Sequence, residues 1–190
     1  MASNVQTEQQ HPPVFPNKTL PTEYPLIDND PHFKRVVRYA RPSDWAWAAG
    51  VAVAMPTAYV AMERVSPFPG VARDAFRGPM RLTIALGLAG GFLLAYSKSA
   101  NRFYGFSENR REVDLDMREM TDRVKKGEPL YGHSRLSEYM QGVASRQTRY
   151  TGVNVAVLPW FNFVNHPHHG VDTAKYYQNA ERELEAERTR

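Results

Sequence analysis

Cysteine is absent from the 190 residues, which excludes disulfides, thiolate zinc sites and Cys-ligated iron–sulfur clusters. Redox chemistry near this chain therefore belongs to a partner. Apolar periodicity is missing from the first 43 residues, and that excludes a large soluble core spread along the whole length. A cleavable address is missing too. Met1 to Asn17 has no apolar run behind a basic start and no Arg-rich amphipathic helix, carries Glu8, and precedes the first lysine, Lys18. Entry into an organelle is expected to use internal signals.

Charge is missing from two long segments, Trp45 to Met62 (WAWAAGVAVAMPTAYVAM) and Leu82 to Ser97 (LTIALGLAGGFLLAYS). At ~1.5 Å per residue the first reaches about 27 Å against a hydrocarbon core of roughly 30 Å. The second is shorter, but Arg81 at its edge can snorkel and extend it back to Gly78. A buried helix of a soluble bundle would carry a polar face somewhere, and neither segment has one. The mean hydropathy of -0.54 hides both spans because the flanks are rich in charge, Pro and Asn. Neither span contains His, which excludes a haem held between transmembrane histidines, and neither contains Asp, Glu or Lys for a proton relay.

What remains reads as an all-α membrane protein: a two-helix transmembrane hairpin with an extended Pro-rich N-terminal strap and short peripheral helices. Residues 1–43 form the strap, 44–98 the hairpin (spans about 45–62 and 80–97), 99–150 amphipathic peripheral helices, and 151–190 an aromatic C-terminal segment with a charged terminal helix. Seven prolines between His11 and Pro42 forbid a continuous helix there and favour an extended strap, disordered or laid along a partner. Between the spans, Glu63 to Arg81 is a short loop broken by Pro67, Pro69, Gly70, Gly78 and Pro79.

Asn109 with Glu112 is a capping pair for a helix whose Val113, Met117, Met120 and Val124 form one narrow apolar stripe before Gly127. Such a stripe calls for a partner. Asp114 with Arg118, Glu119 with Arg123, and Asp122 with Lys126 read as i,i+4 pairs on a solvated surface, worth ~0.2–0.5 kcal/mol each. Ser134 can begin another helix towards Gln147. Val153 to Val164 (VNVAVLPWFNFV) is too short to cross a bilayer and is expected to dock on a partner or lie at the interface. From Val171 onward the chain reads as a solvated polar helix.

Small residues recur at every fourth position of each span: Ala46, Gly50, Ala54 and Ala58 in the first, Thr83, Gly87, Gly91 and Ala95 in the second. They offer faces for close helix packing. Pro56 removes the helical bond to the Ala52 carbonyl and predicts a kink. Arg41 and Trp45 before the hairpin, and Lys98 and Arg102 after it, are expected to anchor at lipid headgroups. The net charge of +4 sits beside the spans and suits anionic lipid better than nucleic acid.

His166, His168 and His169 with Asp172 are the one metal-like cluster, but Pro167 and Gly170 fix no coordination geometry. They are expected in a surface turn, where substitution is nearly silent while Leu at Gly87 or Gly91 disrupts packing. The GLAGG at Gly87 to Gly91 lacks the spacing of a phosphate loop. No nucleophile pairs with a base, so no catalytic, cofactor or metal site and no small-molecule substrate is expected. Four basic residues lie in the loop (Arg64, Arg73, Arg77, Arg81). Eight lie in the flanks (Lys34, Arg35, Arg38, Arg41, Lys98, Arg102, Arg110, Arg111), which predicts termini on the matrix or cytosolic side.

The segment Thr22 to Asp44, TEYPLIDNDPHFKRVVRYARPSD, followed by a hairpin and an aromatic C-terminal segment, resembles the fungal 21 kDa accessory subunit of mitochondrial complex I over nearly the full length. The resemblance implies an inner-membrane protein in the membrane arm of NADH:ubiquinone oxidoreductase, in contact with membrane-arm subunits and phospholipids and without a redox centre of its own. An assembly factor or membrane tether of another complex is the alternative, and a membrane-anchored metalloenzyme using the histidines a more remote one.

Overall fold

The computed structural model describes residues 20–67, 73–154 and 161–189. The strap prolines 12, 13 and 16, the loop residues Pro69 and Gly70, and Pro159 of the aromatic segment lie outside the described residues. Six α-helices follow in order: α1 Phe33–Tyr39, α2 Pro42–Val65, α3 Arg77–Tyr104, α4 Arg110–Lys125, α5 Glu138–Thr148 and α6 Ala174–Arg188. Among the described residues the one strand-like pairing is a single parallel bridge between His32 and Asn162. The expected all-α class and the hairpin of two long apolar helices, α2 and α3, are both present.

Proline starts α2 where its fixed φ and missing N–H do no harm, and Asp44 in the first turn accepts the Arg41 N–H at 2.8 Å. α3 ends on Gly105, whose φ of +80° is a left-handed cap. With 28 residues, α3 is about 42 Å long, so its last turns extend beyond a hydrocarbon core of roughly 30 Å. Its end was expected near Ser97, and the extra turns to Tyr104 carry the main core. There Tyr96, Ala100, Phe103 and Tyr104 pack with Ile27 of the strap and Val36 and Tyr39 of α1. In the most apolar 18 residues of α2 and α3, by contrast, only 6% and 17% are buried within the chain. Leu82, Leu86, Leu88, Val53 and Met62 point outward, which water would penalise and lipid or partner helices would not.

The strap from Thr22 to His32 is laid along its own chain. Tyr24 N–H donates to the Gly105 carbonyl at 3.1 Å, and the N–H groups of Ile27 and Asp28 both donate to the Phe103 carbonyl at 3.0 and 3.1 Å. These bonds satisfy carbonyls that the end of α3 leaves without helical donors. The expected capping pair at α4 is reassigned for the same reason. Asn109 precedes α4, but its amide donates to the carbonyls of Pro25 and Arg102 at 2.8 Å each, and Glu112 is taken by Arg41.

The partner of the α4 stripe is internal. Met120 packs with Leu130 and with Tyr176 of α6, while Met117 and Val124 border them. The first half of α6 is therefore docked, with Tyr176 and Ala180 fully covered, while residues 181–189 are exposed as expected of a solvated tail. α5 begins three residues later than expected, with Ser137 as its N-cap accepting from the Met140 N–H. The described end of the apolar segment that follows α5 also docks internally, the Phe161 ring centre lying 4.7 Å from that of Tyr96 and 5.1 Å from that of Phe33.

Candidate functional site

A network of buried charge gathers where the strap, α1, α4, α6 and the C-terminal loop meet the buried C-terminal end of α3. Arg35 on α1 is 8% exposed and reaches Asp28 of the strap at 3.3 Å and Asp116 of α4, with Glu119 3.9 Å from its Nε. Tyr176 of α6 donates to the other Asp116 oxygen at 2.6 Å. Glu119 accepts from Tyr39 at 2.7 Å, from Arg123 at 2.9 Å and from Arg38. The Arg35 guanidinium also lies 5.5 Å from the ring centres of Tyr39 and Phe103.

A second layer binds the C-terminal loop. His166 Nε2 lies 2.8 Å from Asp30, whose same oxygen accepts from the Thr148 hydroxyl at 2.6 Å. His166 Nδ1 accepts the His168 N–H at 3.2 Å, and the Asn162 amide nitrogen also lies 3.2 Å from His166 Nε2. His169 differs: Nδ1 faces Asp28 at 2.7 Å and Nε2 faces the His166 carbonyl at 2.6 Å. Both of its ring nitrogens thus face an acceptor. Tyr131 and His166 stack on either side of this ring at 3.6 and 4.5 Å.

Burial raises the Asp28 carboxyl, but His169, by charge and hydrogen bond, and then Arg35 outweigh it, leaving Asp28 below the ordinary carboxylate value. At Asp30 burial prevails over the hydrogen bonds of His166 and Thr148, and the carboxyl lies above it. A third group of ion pairs closes the membrane edge. Asp44 holds Arg102 through two 2.7 Å bonds, and Arg41 reaches Glu112 at 2.5 and 2.7 Å and Glu108 at 3.0 Å.

Several expectations are corrected here. His166 and His169 are 2% and 3% exposed and are internal fasteners, because their partners Asp30 and Asp28 arrive from the distant strap. Arg102 was expected at lipid headgroups, yet it is 8% exposed and turned inward to Asp44, and Arg41 is likewise engaged by carboxylates. Trp45 is 42% exposed and Lys98 lies over the Trp47 ring at 5.1 Å. Glu119 with Arg123 is part of the network rather than a solvated pair.

Within the hairpin, Gly91 and Gly87 of α3 lie against the α2 backbone at Ala48 and Ala52, and Ala95 is buried. A Cβ at Gly91 would stand 2.3 Å from the Ala48 carbonyl oxygen, and one at Gly87 would stand 2.8 Å from that of Ala52. The latter is the carbonyl that Pro56 deprives of its helical donor. Ala46, Gly50, Ala54 and Ala58 are exposed on the other side of α2, with nothing within 4 Å of a Cβ at Gly50. Sequence reasoning missed Asp28, Asp30, Asp44, Asp116 and Glu112. One signal was present: Arg35 and Arg38 share the three-residue helical spacing of their partners Asp116 and Glu119.

Among the described residues no three His, Cys, Asp or Glu side chains gather to hold a metal. Every carboxylate of the network is engaged by a cation or hydroxyl, so the arrangement fastens segments together. A helical hairpin with outward apolar faces, clasped at one end by buried ion pairs, defines an all-α membrane protein of structural type. Residues 21–108 match the family described as NADH-ubiquinone oxidoreductase complex I, 21 kDa subunit, and residues 117–190 match the C-terminal of NADH-ubiquinone oxidoreductase 21 kDa subunit. The chain is 60% identical over 172 residues, 90% of its own length and 90% of the other's, to the NADH-ubiquinone oxidoreductase 20.9 kDa subunit of Neurospora crassa. It belongs to this family of complex I 21 kDa subunits.

Proposed function

We infer that this chain is a non-catalytic accessory subunit of mitochondrial NADH:ubiquinone oxidoreductase, resident in the inner membrane and held among other subunits of that complex. The likeness to the Neurospora subunit along nine-tenths of both chains carries the reading. The hairpin supports a location for the contacts. Two helices whose apolar stretches are only 6% and 17% buried need lipid or neighbouring helices around them, so α2 and α3 cross the bilayer within the membrane arm. The outward stripe of Ala46, Gly50, Ala54 and Ala58 suits a neighbouring subunit's helix, and the remaining faces suit phospholipid acyl chains. The clasp with both termini faces the matrix, since eight basic residues flank the spans and four lie in the loop between them.

Blue-native electrophoresis with an epitope after Arg190 tests the placement. Stable co-migration with the NADH-oxidising complex is expected; migration confined to small subassemblies would replace the subunit reading by that of an assembly factor. Protease added to intact mitoplasts should spare the epitope.

A further inference from the structure

Phe33 opens α1, and its ring stands 6.1 Å from Phe92, 5.7 Å from Tyr96 and 5.0 Å from Phe163. Phe92 belongs to the second apolar span and lies 6.4 Å from Trp45, which begins the first. The residues on either side of Phe33, His32 and Lys34, therefore stand at the edge of the hydrocarbon layer. Both line a cavity of about 430 Å³, within the range of roughly 300–1,000 Å³ common for small-ligand sites. Its far wall is the segment before α5, with His133, Ser134 and Arg135, and its rim carries Leu136 and Phe163, which are 40% and 63% exposed.

The electrostatics of this cavity differ from those of its neighbour. A cavity of about 490 Å³ shares Lys34 and His32 with it, but there Asp28, Asp116 and Glu119 already engage Arg35, Arg38 and Arg123. The smaller cavity has no carboxylate among its described lining residues, and neither Lys34 nor Arg135 enters an ion pair among the described residues. Burial and the adjacent Lys34 hold His32 below the ordinary histidine range, so the lasting positive charges are Lys34 and Arg135. Ser134 Oγ accepts the Leu136 N–H at 3.3 Å and keeps its own proton to donate. Asn165 fixes the far wall by donating to the His133 carbonyl at 2.9 Å.

We propose that this cavity binds one anionic phospholipid of the surrounding bilayer, its phosphate held by Lys34, Arg135 and the Ser134 hydroxyl and its acyl chains led over Leu136 and Phe163 to the hairpin. Two unneutralised cations ask for a negative headgroup, and the apolar rim, of no use to a soluble anion, asks for the chains. The proposal rests on the hairpin lying in the membrane.

The test uses the full-length chain in a mild nonionic detergent, with native mass spectrometry of bound lipid. Dioleoylphosphatidylglycerol, dioleoylphosphatidylcholine and inorganic phosphate are titrated in separate arms. Phosphatidylglycerol should bind about thirtyfold more tightly than phosphatidylcholine, the scale set by two basic residues near an anionic lipid surface. The Lys34→Gln/Arg135→Gln variant should lose that preference, Arg135→Gln alone should lose part of it, and Lys34→Arg/Arg135→Lys should keep it. Both residues are exposed, so the fold tolerates these changes. The Arg118→Gln/Lys126→Gln variant removes the same charge from exposed positions on α4 and at its C-cap and should behave as wild type. Equal binding of the two lipids, an unchanged preference in the double variant, an equal loss in the α4 variant, or displacement of the lipid by inorganic phosphate would each overturn the proposal. Because the isolated chain is measured, such a result would leave its place in the complex standing.

Discussion

The hairpin and the clasp at its foot are built on opposite principles. Between α2 and α3 the chain removes side chains until backbones touch, and Gly91 and Gly87 leave no room for even one carbon beside the Ala48 and Ala52 carbonyls. In the clasp the chain buries Arg35, Asp28, Asp116 and His169, the groups that resist burial most, and makes them tolerable by mutual pairing. The first solution fits a medium where apolar contact gives no advantage over lipid, so only close fit does. The second fits a short chain at a water boundary that lacks enough apolar residues for a core. Hairpin packing is thus sensitive to added atoms, and the clasp to lost partners.

The largest effect is expected from Arg35→Leu, which leaves Asp28 and Asp116 buried without their shared cation. Breaking a buried pair in this way costs about 3–5 kcal/mol, and thermal unfolding of the purified full chain in mild detergent reads it. A compensated variant that also carries Asp116→Leu should recover part of the loss; failure to recover would mean the charges are not the fastening element. Next comes Gly91→Leu, an overpacking change of about 1–3 kcal/mol that should lower the fraction co-purifying with the complex. Gly50→Leu, which meets nothing within the chain, should leave hairpin stability unchanged. Any loss of co-purification there would locate a neighbouring helix on that face.

The histidines divide in a way that sharpens the same contrast. His169→Ala deprives Asp28 and the His166 carbonyl of donors and should cost about 1–3 kcal/mol. His168→Ala, at a half-buried position with no ring hydrogen bond to a carboxylate, should cost about 0.5 kcal/mol or less. Equal losses in a denaturant titration would refute the asymmetric clasp.

The smallest effect concerns acid. Asp28 lies below its ordinary value in the folded state, so its contribution is present above about pH 4 and is lost as pH falls further through the folded value. Asp30 lies above it, so its ionisation subtracts stability as pH rises past about 4. Asp28→Asn should therefore flatten the acid side of a stability profile between pH 3 and 7, and Asp30→Asn should steepen it. The same slope in both variants would contradict these opposite signs.

Sequence periodicity made the hairpin, α4 and the polar flanks readable because each is a local pattern. The clasp was not readable, since its bonds join residues far apart: Asp28 with His169, Asp30 with His166, Arg35 with Asp116. Three histidines around a proline look like a turn until the strap supplies carboxylates on which to bury them. Arg102 looked like a lipid anchor because charge beside a span usually is one, and Asp44 in the first turn of α2 redirects it inward. Gly87 and Gly91 on α3 lie against the α2 backbone while Ala46, Gly50, Ala54 and Ala58 on α2 are exposed, a difference of helix rotation that composition does not encode.

The reach of the Asp28 to His169 bond sets an order on folding. His169 lies far along the chain from Asp28, and the Phe103 carbonyl far from the strap that donates to it, so these bonds need both distant segments to be present. A chain cut before His166 would therefore leave Asp28 and Asp30 without their histidine partners and the strap unfastened at its C-terminal contacts.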